Sequence, residues 1–136
     1  MKSYKKIYNY YLDLMFKDKK VFWDYNGLDS GYLLSDSYII SIVPEMYLNQ
    51  VKIPKVNLEK FIESLKIEDY KEASKIVLIS SDNLIGLKHG DIEVLISNKY
   101  YNLYKGCTFK IISDIKPVLI YDNDKIIGFI LPVKKY

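Results

Sequence analysis

The chain has 136 residues, 49% of them hydrophobic and 27% charged, with a net charge of +3. That is apolar material for one core and too much for a disordered chain, while no apolar run approaches the roughly 18 residues of a membrane span. A lone cysteine, Cys107, excludes an intrachain disulfide, and with a lone histidine, His89, a zinc site built from Cys and His would have at most two ligands.

Ser3 to Phe16 reads as the first helix. Tyr4, Ile7, Tyr8, Tyr11, Leu14 and Met15 recur at helical spacing and form one apolar stripe, with Ser3 as the N-cap. Lys2, Lys5 and Lys6 cluster at its start. Lys17, Lys19 and Lys20 follow its end, where they suit the negative pole of the helix dipole. Lys20 to Tyr25, Tyr32 to Leu34 and Tyr38 to Val43 read as strands, separated by Asn26-Gly27, Ser30-Gly31 and Ser35-Asp36-Ser37. Met46 to Ile53 reads as extended chain.

Pro54 and the N-cap residue Asn57 lead into a second helix, with Leu58, Phe61, Ile62 and Leu65 spaced to face the core. Glu68 to Ser74 is polar and reads as a loop or a frayed turn. Strands follow at Ile76 to Ser80, Leu84 to Leu87 and Ile92 to Ile96, with Asp82-Asn83 and His89-Gly90-Asp91 as hairpin breaks. Asn98 to Tyr104 reads as a short helix or an irregular crossing. Thr108 to Ile112, Val118 to Tyr121 and Ile126 to Leu131 complete the strands, the last two joined at Asn123-Asp124. The expected fold is α+β: one domain over residues 1–136, with two main helices packed on antiparallel sheet.

Catalytic constellations are nearly absent. His89 falls in a hairpin tip, a poor place to bury and orient a base. The six glycines are scattered, so no phosphate-cradling loop exists. Asp82, Asp91, Asp122 and Asp124 stand in turns, where Asp is favoured for its own backbone hydrogen bonds, and Glu93 faces away from Ile92, Val94 and Ile96. The expectation is a protein that is not an enzyme, with no catalytic residues, no metal and no cofactor. The basic Met1–Lys6 is followed by Tyr8, Asn9 and Asp13 rather than an apolar h-region, so no signal peptide is expected and a cytoplasmic setting, without membrane contact, is.

All twenty basic residues are lysine. Arginine is the usual bidentate reader of guanine, so its absence argues against sequence-specific readout and leaves nonspecific phosphate contact open. The joint abundance of Lys, Ile, Asn and Tyr also fits the bias of an AT-rich genome. The candidate DNA-binding residues are Lys2, Lys5, Lys6, Lys17, Lys19 and Lys20, with Tyr4 and Tyr8 interleaved in the first cluster.

Leu33-Leu34-Ser35-Asp36-Ser37-Tyr38-Ile39-Ile40-Ser41-Ile42 resembles the strand–turn–strand stretch of the bacterial DNA polymerase sliding clamp. Ile53-Pro54-Lys55-Val56-Asn57-Leu58-Glu59-Lys60-Phe61 resembles the segment in which a proline leads into a clamp helix. Lys116-Pro117-Val118-Leu119-Ile120 and Phe129-Ile130-Leu131-Pro132-Val133-Lys134 resemble the last clamp hairpin. The likeness runs from about Lys20 onward. It implies a clamp-like domain that holds double-stranded DNA nonspecifically or engages replication proteins, with Leu131, Pro132 and Val133 as partner-binding residues. A full clamp protomer carries several such domains, so one domain implies a homo-oligomer. The second helix alternates Glu59, Lys60, Glu63 and Lys66, which departs from the basic channel faces of that family. A phage or another mobile element would suit both the composition and the role. The alternative is a small inhibitor or adaptor, such as an anti-defence protein, that binds a host protein without touching nucleic acid.

Overall fold

A computed structural model describes residues 4–27, 31–45, 53–79 and 83–133. The fold is mixed helix and strand, and the strands pair antiparallel. The chain divides into two compact units, Lys2–Leu65 and Lys66–Tyr136.

The first unit opens with helix α1, Lys5–Phe16. Its apolar stripe turns Ile7, Tyr8 and Tyr11 inward, and Tyr11 is fully buried. A buried tyrosine must find a partner for its hydroxyl. Tyr11 reaches both the Leu34 carbonyl and Ser41 Oγ at 3.0 Å. Tyr8 donates to the Glu45 carbonyl and Tyr10 to the Asp36 carboxylate. Three tyrosines of one helix thus fix α1 on a meander of β1 (Phe22–Tyr25), β2 (Tyr32–Ser35) and β3 (Ile39–Val43). Leu34 pairs with both Trp23 and Ser41, so these three share the sheet face on which Tyr11 sits.

The turns of the meander follow from local chemistry. Asp36 Oδ1 accepts from the N–H groups of Tyr38 (2.8 Å) and Ile39 (2.9 Å), while Ser37 takes a positive φ of 85°. Gly31 has a φ of +106°, and a Cβ there would stand 2.5 Å from the Val43 carbonyl oxygen. Only glycine fits both the conformation and the space.

Helix α2 is shorter than the pattern suggests. It spans Glu59–Glu63, a little over one turn, although Asn57 Oδ1 accepts from Lys60 N–H at 3.2 Å as an N-cap should. Of the four residues expected to face the core, Ile62 is buried, while Leu58, Phe61 and Leu65 are half-buried. Propensity for five residues cannot hold a helix. The anchor of α2 lies elsewhere and is described with the candidate site.

In the second unit the polar stretch from Glu68 onward is a 3-10 turn, Ile67–Asp69, and a two-residue strand β4, Lys71–Glu72. One run of strands is β10 (Lys125–Ile130), β9 (Val118–Asp122), β8 (Thr108–Ile111) and β4. The β9–β10 turn is at Asn123-Asp124, with Asn123 at a φ of 56°, and a register shift between Ile126 and Gly128 bulges β10. The other sheet is β5 (Lys75–Ile79), β6 (Leu84–His89) and β7 (Ile92–Ser97), with Gly90 at positive φ in the hairpin turn. Helix α3, Asn98–Leu103, follows β7 and buries Tyr100 and Leu103. Tyr70 donates to the Pro117 carbonyl at 2.7 Å, and burial pushes its pKa up to about 12. Val133 N–H donates to the Leu95 carbonyl at 2.7 Å, tying the C-terminal stretch to β7.

Three substitutions test this reading by urea unfolding. Gly31→Ala should destabilise by about 1–3 kcal/mol through backbone strain. Ile62→Ala should cost about 2–4 kcal/mol as a buried truncation, and Phe61→Ala clearly less. Equal losses at Ile62 and Phe61 would mean that α2 sits in another register.

Candidate functional site

Two features of the first unit carry chemistry at its surface: a carboxylate-centred aromatic corner on β1, and the two lysine-bearing ends of α1.

Asp24 lies on β1 and is only 5% exposed. Its Oδ1 accepts from Tyr25 N–H at 2.8 Å, and its Oδ2 from Leu58 N–H at 2.9 Å and Glu59 N–H at 3.2 Å. Lys55 Nζ stands 3.3 Å from Oδ1. A carboxylate 34 residues away in sequence therefore satisfies the first N–H groups of α2, which no side chain of α2's own cap position reaches. Burial alone would raise the Asp24 pKa, but the three backbone donors and Lys55 outweigh it and hold the carboxyl below its ordinary value.

The backbone completes the corner. Trp23 N–H donates to the Pro54 carbonyl (3.2 Å), Val56 N–H to the Trp23 carbonyl (3.1 Å), and Trp23 Nε1 to the Ile53 carbonyl (3.1 Å). The proline-led segment thus lies parallel against β1 at the Trp23–Lys55 bridge. Trp23, Tyr25 and Tyr32 form one aromatic group, with ring centroids 5.1 to 6.3 Å apart. Lys55 Nζ stands 6.0 Å from the Trp23 ring centroid and 5.6 Å from that of Tyr25. Trp23 is the inner member and Tyr25 the outer one, 57% exposed. This corner was not legible as a site in the sequence, because a lone Asp in a strand gives no sign of a cap so far along the chain.

The lysines of α1 are placed as their sequence positions require. Lys5 and Lys6 are exposed on its first turn, and Lys17, Lys19 and Lys20 are exposed at and beyond its end; Lys2 lies outside the described residues. The twelve residues of α1 span about 18 Å from Lys5 to its end, so one helix holds the two groups apart at a fixed distance. The exit is tightly built. Lys17 N–H donates to the Asp13 carbonyl and Lys19 N–H to the Leu14 carbonyl at 2.9 Å, across Asp18 at a φ of 56°. Lys17 Nζ lies 2.9 Å from Asp13 Oδ2, an exposed i,i+4 pair that damps one positive charge without removing it.

The aromatic neighbours differ from the sequence reading. Tyr8 is buried and Tyr4 half-buried, so Tyr8 does not stand among the lysines as a stacking surface. Phe16 does, at 89% exposure, with Leu12 one turn before it at 38%. The signal was available: Phe16 falls nine positions after Ile7, about 180° round the helix from it and about 140° from Tyr11.

The C-terminal candidates are partly used within the chain. Val133 gives its N–H to Leu95, Pro132 is half-buried, and the side chains of Leu131 and Val133 remain 38% exposed. His89 ends β6 rather than standing at the tip, with Nδ1 2.9 Å from the Glu72 carbonyl. Glu93 pairs across the hairpin with Lys88 at 3.0 Å. Cys107 is half-buried, and burial, assisted by the Asp122 charge, pushes its thiol up, away from the reactive thiolate. Among the described residues no three His, Cys, Asp or Glu side chains gather as metal ligands, and no helix is long and apolar enough to cross a membrane.

Comparison of the chain with protein-family models, with curated proteins and with solved structures finds no match.

Asp24 makes a pH prediction with a definite sign. Its folded pKa is lowered, so its stabilisation is complete above the ordinary carboxylate range and is lost as pH falls through the folded value. Asp24→Ala should cost about 2–4 kcal/mol at pH 7, from a lost cap and buried donors left unpaired. Urea midpoints followed from pH 7 to pH 3 should fall less steeply in this variant than in the parent. A parallel fall in both would remove Asp24 from the account.

Proposed function

We propose that this protein works by binding rather than catalysis, and that its partner is DNA, held without sequence preference in the manner of a clamp-like replication accessory. The observation that carries the reading is the exposure of Lys5, Lys6, Lys17, Lys19 and Lys20 at the two ends of one rigid helix. Between Lys5 and Lys20 the sequence holds two acids, Asp13 and Asp18, and Asp13 pairs with Lys17. A separation of about 18 Å equals roughly five base-pair rises of about 3.4 Å along a duplex axis. Lysine is a point charge without arginine's planar fork, so such contacts would neutralise phosphate and leave base identity unread.

The clamp-like part draws support from the strand–turn–strand and Pro-led segments quoted above, together with their antiparallel pairing around Asp36. A single clamp-like unit encircles DNA only as a closed assembly of copies. One end strand suits such pairing: β5, whose Ile76 is 45% exposed. The adaptor reading has its own support in Leu131 and Val133, two apolar side chains that remain partly exposed beside the anchored backbone of Val133.

The test is fluorescence anisotropy on oligonucleotides across a salt series. The logarithm of affinity should fall with the logarithm of salt by about 0.9 per phosphate neutralised on duplex DNA. Replacing Lys5, Lys6, Lys19 and Lys20 by glutamine should flatten that slope and weaken binding equally on every sequence. Absence of binding to duplex and single strand alike at low salt would remove DNA and leave the adaptor reading. Sedimentation velocity addresses the assembly. A concentration-dependent closed oligomer is expected, whereas a strict monomer would exclude encirclement.

A further inference from the structure

We infer that the exit of α1 is a single-strand contact, in which Phe16 stacks on an unpaired base while Lys17, Lys19 and Lys20 neutralise the flanking phosphates. The inference rests on the DNA reading above and narrows it to a strand state and a residue.

Phe16 is the last residue of α1 and 89% exposed. Leaving a phenylalanine in water forgoes the free energy of burying it, and the inner stripe of Ile7, Tyr8 and Tyr11 already holds α1 in place without it. Its surroundings specify the chemistry of an occupant. Within the next four residues stand three exposed lysines and one exposed acid, Asp18, with Lys17 also paired to Asp13, on a chain reversed at Asp18 and pinned by the Lys19 N–H bond to Leu14. An apolar pocket on a protein partner would satisfy Phe16 but make no use of the lysines beside it. A π-face bordered by cations matches a base bordered by phosphates, the arrangement by which single strands are held without sequence preference. A duplex keeps its bases stacked inside and can use the lysines alone. Among the described residues the exposed large aromatic side chains, Phe16, Tyr25 and Tyr38, all belong to the unit that carries these lysines.

The experiment compares the parent chain with Phe16→Ala, Phe16→Leu and Phe16→Tyr, on a labelled oligo-dT and on a duplex of the same length at one salt concentration. Because Phe16 is exposed, all three variants should fold, which circular dichroism and urea midpoints check. Phe16→Ala should weaken single-strand binding roughly 5- to 150-fold, the range of one lost base–aromatic stack. Phe16→Leu should weaken it similarly, Phe16→Tyr should restore it, and duplex affinity should stay within about twofold throughout. Single-strand binding unchanged in Phe16→Ala, or retained in Phe16→Leu, would overturn the stacking contact while leaving the lysine-based reading intact. A parent chain that binds neither oligonucleotide would overturn both.

Discussion

The first unit depends on keeping one buried negative charge satisfied. Asp24 is nearly withdrawn from water, and a carboxylate so placed is tolerable only when hydrogen-bonded and paired. Its partners are the N–H groups of Tyr25, Leu58 and Glu59 and the Lys55 ammonium. Meeting that requirement draws Ile53–Glu59 against β1, and the Trp23 indole and backbone then bond to Ile53, Pro54 and Val56. The open side of β1 is thereby covered by the chain's own proline-led segment, one of the ways natural sheets avoid pairing with strangers. The same requirement helps a helix of five residues to persist: its N-terminal N–H groups are met by Asp24 from another element as well as by Asn57.

A parallel logic governs α1. Ser41 is a hydroxyl inside β3, a strand whose five residues are all buried. It is tolerable because Tyr11 brings a hydroxyl to it, and Tyr11 is tolerable because Ser41 and the Leu34 carbonyl are there. Tyrosine does for this helix what a leucine stripe cannot. It buries a large ring and also fixes register by pointing a polar tip at one place. The many tyrosines of the chain therefore have structural uses beyond compositional bias, as Tyr70 at the Pro117 carbonyl also illustrates.

The legible parts of the fold were those decided by neighbours in sequence. The strands and the long helix start and stop within a few residues of their patterns, and the turns at Asp36, Gly90 and Asn123 carry the residues that such turns demand. The illegible parts were decided at long range. Nothing near Asp24 announces a cap for residues 58 and 59. Nothing near Leu58, Phe61 and Leu65 says that their helix stops at Glu63. The two-residue β4 exists because Lys71 and Glu72 lie opposite Ile111 and Lys110, a pairing without local signature. For the candidate site, the exposure of the lysines could be anticipated, because long charged side chains stay in water. The burial of Tyr8 could not, because a tyrosine beside lysines reads the same whether its ring faces water or core.

That distinction bears on what kind of selectivity this surface can have. Lysines on a helix give attraction that is long-ranged, salt-sensitive and blind to sequence, and such attraction does not discriminate among anions of similar charge density. Selectivity must come from a group whose contact energy depends on the partner's shape. Bidentate arginine would supply it toward guanine edges, and the chain has none. The remaining candidates are exposed rings, because a ring's gain depends on whether a flat apolar face is presented to it. On the reading proposed above, a surface of lysines and one exposed phenylalanine would favour unpaired over paired strands while ignoring their sequence. Its discrimination would then be set by the state of the partner rather than by its identity.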